Sequence, residues 1–412
     1  MELQQELQER GFIHQTSADI SEILSGEKRT IYLGVDPTAD SIHAGNFVIF
    51  MLLRHLASAG HRIILLAGGG TGRIGDPKPD VERPLVEPEE VNRRVGKLQA
   101  QAAQLLDVPD LQIVDNYEWL GQLNLIEFLR DIGKHFTVGE LIKKDAIAER
   151  LKSETGLSYT EFAYPLLQGY DFLELYRQHG CDVQVGGSDQ WGNIVAGVDL
   201  VRRKERATAY AITVPLVIDK ASGKKFGKSE GNAVWLDAEK TTPYQFYQFW
   251  LNASDESVVD YLKLFTFLSL EEIATIETEH QADPGKRVAQ KRLASEVTTL
   301  VHGDRAATAV KLVTDILFND VKAVYTKDEQ DILLAEAPVF ECKESDSLLE
   351  VLVKSNLATS NREARTFLEC GSVRLLGEVR SLEDQELYPY PGKSKTAVLK
   401  RGKKRFVVLH GV

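Results

Sequence analysis

At 412 residues and 46.0 kDa the chain is too long for one ordinary hydrophobic core, so about two to four domains are expected. Its 43% hydrophobic and 27% charged residues are a globular, water-soluble composition, and no stretch approaches the roughly 20 apolar residues of a membrane span. The first residues, MELQQELQERGF, carry acids and no long apolar run, which argues against a secretory signal and for a cytoplasmic protein; a net charge of −12 disfavours a nucleic-acid partner on average.

In chain order, Leu3, Leu7 and Phe12 mark an amphipathic helix and a polar connection over residues 1 to about 28. Ile31, Tyr32 and Leu33 then read as a short strand that meets Gly34 and a turn with Asp36, Pro37 and Thr38. An apolar segment of 3.6 period begins near His43, with Asp40 or Ser41 placed to cap it and Gly60 to end it. His43, Gly45 and Asn46 fall in its first turn, where free N–H groups and the helix dipole favour a phosphate. Gly45 removes a side chain where a nucleotide must approach, but this stretch alone also fits a plain capped core helix.

A buried strand over 61–67 runs into Gly68, Gly69, Gly70, Thr71 and Gly72, completing a βαβ unit. Gly70, Gly72 and Gly75 satisfy the dinucleotide pattern G-x-G-x-x-G. That pattern needs a helix next, and Pro77 and Pro79 oppose one, so the glycines are expected to let backbone approach a different ligand, with Asp76 in the same cleft. A helix opened by Pro88 covers 86–106, a strand covers 112–115, and helical segments fill 118 to about 155. In the next helix Tyr164, Gln168 and Asp171 stand at i, i+4 and i+7, three polar groups on one face among apolar neighbours. A buried carboxylate there is costly unless something bonds to it.

Residues 182–185 form a strand that ends in Gly186, Gly187, Ser188, Asp189 and Gln190, a strand-to-helix turn suited to a ribose. A strand over 213–219 precedes Lys224, Lys225, Phe226, Gly227, Lys228 and Ser229, cations on a glycine-containing loop able to swing over a polyphosphate. From Thr242 to about Phe318 the pattern is helical, and 320–338 reads as a charged connection. The last unit has helices near 348–352 and 360–369 and strands at 373–376, 397–399 and 406–409. From Pro391 onward come Lys393, Lys395, Lys400, Arg401, Lys403, Lys404 and Arg405 without one acid, a run that fits RNA contact or a solvated face. Cys181, Cys342 and Cys370 are odd in number and far apart, so neither a disulfide framework nor structural zinc is expected.

With these pieces placed, the sequence resembles the bacterial-type tyrosyl-tRNA synthetases, class I aminoacyl-tRNA synthetases. His43-Ala44-Gly45-Asn46 is similar to the family's H-x-G-H or H-x-G-N signature, and Lys225-Phe226-Gly227-Lys228-Ser229 to its K-M-S-K-S signature. YLGVDPTADSIHAGN, GGGTGRIGDP, GGSDQWGNI and KFGKSEGNAVWLD follow in order across residues 30–240, and the last segment resembles an S4-like RNA-binding domain. The resemblance implies an α/β architecture: a Rossmann-like parallel-sheet catalytic domain (1–222) with a helical, dimer-forming insertion (115–180), a KFGKS loop (223–232), a helical anticodon-binding domain (233–320), a linker (321–340) and an α+β S4-like domain (341–412).

It also implies roles. Tyr32 and Asp171 resemble the pair that bonds the substrate phenol; Tyr164, Gln168 and Asp76 surround its ammonium, with Gln190 beside the carboxylate. Gly187 and Asp189 resemble the ribose and adenylate contacts, in an ATP site to which Gly34, Asp36, Thr38 and Gly45 also belong. His43, Asn46, Lys225, Lys228 and Ser229 resemble the phosphate-handling set, and Lys78 and Arg83 stand where the family carries a mobile cationic loop over pyrophosphate, here shortened. The implied reaction joins L-tyrosine to ATP, with Mg²⁺ accompanying the nucleotide, and passes tyrosyl to tRNA(Tyr) from a homodimer. Tryptophanyl synthetase, a small nucleotidyltransferase and an inactive RNA-binding relative are the alternatives.

Overall fold

Six strands build the sheet that carries the first motif: β1 (Gln15–Thr16), β2 (Thr30–Val35), β3 (Arg62–Ala67), β4 (Gln112–Asp115), β5 (Val183–Gly187) and β6 (Tyr210–Val214), in the order β1-β6-β5-β2-β3-β4. The computed structural model describes residues 2–412 except 79–82, 109–110, 153–155, 222, 224–225, 230–231, 319–324, 376–377, 394 and 403–404; for 145, 228, 229, 232, 316–318 and 378 it describes the backbone alone. The chain divides into two compact units, 1–240 with 252–293, and 241–251 with 294–412.

In the six-stranded sheet of the first unit all pairings are parallel except β1 with β6. Ile63, Ile64, Leu65, Leu66 and Ala67 are all buried, as a parallel strand covered on both faces requires. From β2 the chain first fills β3 and β4 on one side and only then β5 and β6 on the other. The order therefore reverses between β2 and β5, and the crevice outside their carboxyl ends is where such sheets bind ligands. This is the expected Rossmann-like arrangement.

Several local expectations shift. The strand foreseen at 213–219 lies at Tyr210–Val214, because Pro215 offers no N–H to continue the ladder. Neither Asp40 nor Ser41 caps the helix Ala44–Ser58: His43 is itself the N-cap, its Nδ1 accepting from the Gly45 N–H at 3.1 Å. Asp40 instead meets Arg93, Lys97 and Lys240, which hold its carboxyl below the usual range, the Lys240 hydrogen bond first. Gly60 closes the helix as foreseen, at φ 89°.

The N-terminal helix is shorter than its pattern suggested, Leu3–Arg10, and Gly11 ends it at φ 86°. Arg10 is 3% exposed and reaches the end of the helix Val258–Phe265, donating to the carbonyls of Lys263 (3.2 Å), Thr266 (3.4 Å) and Leu268 (2.7 Å). Those carbonyls include groups that a helix end leaves without intrahelical partners. Arg10→Met keeps the buried volume and removes every donor, so we expect it to lower stability by about 2 kcal/mol, read as a drop in the urea midpoint at unchanged slope.

In the second unit, helix Pro243–Leu251 and the helical stretch that ends at Phe318 precede a five-stranded sheet. Its strands are β9 (Val339–Cys342), β10 (Val373–Leu375), β11 (Glu378–Arg380), β12 (Thr396–Arg401) and β13 (Arg405–Gly411), in the order β11-β10-β12-β13-β9. Helices Leu348–Lys354 and Asn361–Glu369 cover it, sharing a core of Leu348, Leu352, Leu368, Val373 and Leu399. The stretch read as a charged connection holds a helix, Lys327–Glu336, whose Thr326 and Glu329 form a reciprocal capping box.

Candidate active site

The crevice at the carboxyl edge is lined by residues that arrive from every neighbouring element. Asp36 follows β2, Thr71 lies in the turn after β3, Asn116 follows β4, and Tyr164 and Asp171 sit on the helix Tyr159–His179. They form one chain of hydrogen bonds. Tyr164 Oη donates to Asp36 Oδ2 at 2.7 Å, Thr71 Oγ1 to Asp36 Oδ1 at 2.7 Å, and Asn116 Nδ2 to both Thr71 Oγ1 (2.8 Å) and Asp171 Oδ2 (2.9 Å). Trp119 Nε1 completes it, donating to Asp171 Oδ1 at 2.7 Å.

The glycines after β3 explain how these groups come so close. A Cβ on Gly68 would lie 2.1 Å from Asp36 Oδ1, one on Gly69 2.1 Å from Asp115 Oδ1, and one on Gly70 2.8 Å from Leu120. Within the protein, what the missing side chains at 68–70 make room for is its own carboxylates and a leucine. The Gly69 and Gly70 N–H groups donate to Asp115 and Asn116, fixing the turn.

Asp171 is 2% exposed, and burial pushes its carboxyl up to about 8 against the pull of Trp119 and Asn116. Tyr32, on β2, is fully buried, edge-on to Phe172 at 5.1 Å. Its phenol is raised by burial first and then by the Asp171 charge, and its Oη has no hydrogen-bond partner among the described residues. Gln168 Oε1 is likewise buried without one. Unpaired buried polar atoms cost about 1–3 kcal/mol each, so a pair of them on one crevice points to a ligand that supplies the missing partners.

On the β5 side, Asp76 accepts from Gln190 Nε2 at 2.9 Å and from Asn193 Nδ2 at 3.3 Å. Burial raises it to about 6. Lys144 donates to Asn193 Oδ1 (3.0 Å) and to the Gly192 carbonyl (2.6 Å), and burial lowers its ammonium to about 8. Asp189 is exposed and folds over Gly187, where an added Cβ would meet Asp189 Oδ1 at 2.5 Å. Gly34 has open space above it, and Thr38 and Asn46 are exposed at the same edge. A cleft of about 750 Å³ continues from Asp76 and Asp189 past Lys143, Lys144, Trp191 and Arg203.

The two signature segments, distant in sequence, touch. Gly227, at φ 92°, lies so tightly on the helix start that a Cβ there would be 2.5 Å from Gly45 N, and a Cβ on Gly45 would be 3.0 Å from the Phe226 carbonyl. Ala44 N–H donates to Val234 O at 2.8 Å and Leu236 N–H to Ile42 O at 2.9 Å, so the chain after the loop is stitched to the chain before the helix. The Trp235 and His43 rings meet edge to face with their centroids 6.1 Å apart. Lys225 lies outside the described residues, whereas the backbone of Lys228 and Ser229 forms β7 against β8 (Asn232–Ala233).

Residues 24–319 match a family model described as class I tRNA synthetases (W and Y), and 329–409 match the SYY-like C-terminal domain of tyrosine–tRNA ligases. The chain is 45% identical to tyrosine–tRNA ligase 2 of Enterococcus faecalis, over 98% of each chain, and 45% identical to tyrosine–tRNA ligase of Streptococcus uberis, over 99% of this chain and 100% of that one. A C-terminally truncated mitochondrial tyrosyl-tRNA synthetase of Aspergillus nidulans superposes with a TM-score of 0.69 at 32% identity, covering 77% of this chain and 94% of the other. The chain belongs to the tyrosine–tRNA ligase family.

Of the residues singled out from the family signatures, Asp36, Asp76, Tyr164, Asp171 and Gln190 are joined in hydrogen-bonded groups at this edge, but the pattern did not reveal the groups that orient them. Asn116, Trp119, Thr71, Asn193 and Lys144 hold Asp171, Asp36 and Asp76 in place. The one available signal was a polar and an aromatic residue three apart just past a sheet strand. In the second unit Lys393, Lys395 and Arg405 are exposed, Lys400 and Arg401 are half-buried, and Lys403 and Lys404 lie outside the described residues. Strand pairing adds Arg374, directly opposite Lys400, which together with burial lowers the Lys400 ammonium.

Proposed function

We propose that this member of the tyrosine–tRNA ligase family activates L-tyrosine with ATP, releasing pyrophosphate, and transfers the tyrosyl group to the 3′ end of tRNA(Tyr). The observation that carries it is the unpartnered Tyr32 phenol beside a buried, doubly donated Asp171. A substrate hydroxyl entering there accepts from Tyr32 and donates to Asp171. At the other end of the amino acid, Tyr164 has committed its proton to Asp36 and keeps oxygen lone pairs for an ammonium, alongside Gln168 Oε1 and Asp76. Gln190 lies next to Asp76, within reach of the carboxylate.

The tyrosine carboxylate is already an anion, so attack on the α-phosphate needs no general base. What the site supplies is orientation and compensation of phosphate charge. His43 with the helix start and Asn46 handle it from one side, Lys225, Lys228 and Ser229 from the other, while Gly34, Asp36, Thr38, Gly45, Gly187 and Asp189 frame nucleotide and ribose. Mg²⁺ enters with ATP as part of the substrate. Arg374 and Lys400 face each other across a strand pair and place two cations on one face of the terminal sheet, which supports RNA contact by the terminal unit. ATP–pyrophosphate exchange with each aromatic amino acid tests the reading: tyrosine alone should drive it, and exchange driven by tryptophan, or none, overturns it.

We also infer a homodimer. Leu125, Ile126, Val138, Leu151 and Tyr159 are each more than half exposed on the insertion after β4, a concentration of apolar surface that a partner copy would cover. Sedimentation should give twice the chain mass, and Ile126→Asp should shift the equilibrium to monomer.

A further inference from the structure

Arg150 and Glu161 form an ion pair at 3.1 Å with side chains 0% and 2% exposed, and neither was marked by any motif. A buried pair of this kind is weak support for a fold, since desolvating both charges cancels much of their attraction. Its remaining bonds are more telling. Arg150 Nη1 donates to the Lys78 carbonyl at 3.0 Å, and Glu161 Oε1 accepts from the Arg83 N–H at 3.1 Å. The pair thus grips both Lys78 and Arg83. Ser158-x-x-Glu161 reads as a capping box, yet although Ser158 caps the helix by accepting from the Glu161 N–H, the Glu161 carboxylate is turned to Arg83 and Arg150.

Arg83 leads from this grip into the crevice. Its Nε donates to the Asp76 carbonyl at 2.9 Å, and its side chain lies over Gly75, where a Cβ would meet Arg83 Cγ at 3.1 Å. Its charge acts on both Asp36 and Asp76, opposing the rise that burial imposes on each.

We propose that the Arg150–Glu161 pair is a positioning device that holds the Lys78 carbonyl and the Arg83 N–H and thereby sets the Arg83 cation against the Asp36 and Asp76 side of the amino-acid site. Arg150 and Glu161 touch no substrate and act through Arg83. The consequence for activity rests on the ligase reading above; the grip itself does not. The groups facing Asp76 are the Gln190 and Asn193 amides, the Asp36 carboxylate, the Tyr164 phenol, Arg83 and Lys144. Releasing Arg83 removes one of the cations, so protonation of Asp76 should occur at higher pH and the acid limb of tyrosine use should move up with it.

The test is the double variant Arg150→Met with Glu161→Leu in the full chain. An apolar pair of similar bulk leaves stability near wild type or above it, so a purely structural role predicts no change in exchange kinetics. Positioning predicts a fall of about tenfold or more in kcat/KM for tyrosine, as small misplacements of reacting groups produce, an acid limb displaced upward, and faster hydrogen exchange at the Arg83 amide that Glu161 accepts from. Wild-type kinetics, limb and amide protection in the double variant would overturn the proposal. Should that variant not fold, Glu161→Gln, which keeps the shape and one acceptor, reads the same three quantities, and no change in any of them also overturns it. If the wild-type chain catalyses no tyrosine-dependent exchange, the ligase reading fails, while the amide-exchange comparison still decides the grip.

Discussion

Asp171→Ala should lower kcat/KM for tyrosine in ATP–pyrophosphate exchange by about 100-fold or more while leaving the KM for ATP within about twofold, because the cost falls on one end of one substrate. The substitution removes the acceptor for the incoming hydroxyl. It also strands two buried donors, Trp119 Nε1 and Asn116 Nδ2, which now meet the carboxylate at 2.7 and 2.9 Å. The lost bond to an ionised acceptor is worth about 1.5–3 kcal/mol in a buried site, which reaches the roughly 2.7 kcal/mol that a hundredfold change requires, and the two stranded donors leave the pocket less well ordered for the ring. Phenylalanine brings no hydroxyl, so its weak use should suffer less than that of tyrosine, and the two should draw together. Asp171→Asn separates charge from shape. Its amide offers one oxygen to two donors, so one of Trp119 and Asn116 must face an N–H, and tyrosine use should again fall. A variant whose tyrosine dependence matched wild type would remove Asp171 from the phenol site.

That experiment bears on a part of the molecule that the sequence showed only in outline. Tyr164, Gln168 and Asp171 were visible because a helix repeats its faces at i, i+4 and i+7, and a polar stripe among Phe162, Leu166, Phe172 and Leu173 is conspicuous. Asn116 and Trp119 were not. Their relation to Asp171 exists only after the end of β4 meets a helix 55 and 52 residues away, and no local period records such a meeting. The glycines at 68–70 were visible as glycines, but whether their missing side chains make room for a ligand or for Asp36 and Asp115 is a fact of packing. Local rules also compete. Ser158-x-x-Glu161 carries a capping-box spacing, and a buried arginine draws its carboxylate elsewhere. His43 took the N-cap position that Asp40 or Ser41 was expected to fill, since its ring nitrogen accepts the Gly45 N–H while Asp40 is held by surrounding cations. The overall sheet was legible because its strands are contiguous apolar runs separated by helical periods, which admit few connections. The helix at 327–336 was obscured by its charge, though its Thr326 and Glu329 carried the start signal.

The convergence of the two signatures is open to a single added carbon. Gly227→Ala should reduce kcat for exchange by about 100-fold with equilibrium tyrosine binding unchanged, because the alanine Cβ has no place to go. It would stand 2.5 Å from Gly45 N and 3.0 Å from Gly45 Cα, both backbone atoms of a helix start stitched to Val234 and Trp235. The residue also sits at φ 92°, where an L side chain costs about 1–2 kcal/mol even in open space. Backbone on both sides leaves one inexpensive response: the loop lifts away from the helix, and the cations it carries leave the phosphate side of the crevice. On the proposed reading tyrosine binds at the far end, against Tyr32 and Asp171, and should not sense the change. Gly45→Ala probes the opposite face of the same contact, where a Cβ would lie 3.0 Å from the Phe226 carbonyl and from the His43 ring, so its effect should have the same sign and be smaller. The pair of variants together should cost little more than Gly227→Ala alone, since both open one gap and a gap opens once. Independent, additive losses would mean that the loop and the helix start act on the triphosphate separately, and that their contact in the resting protein is incidental to the reaction.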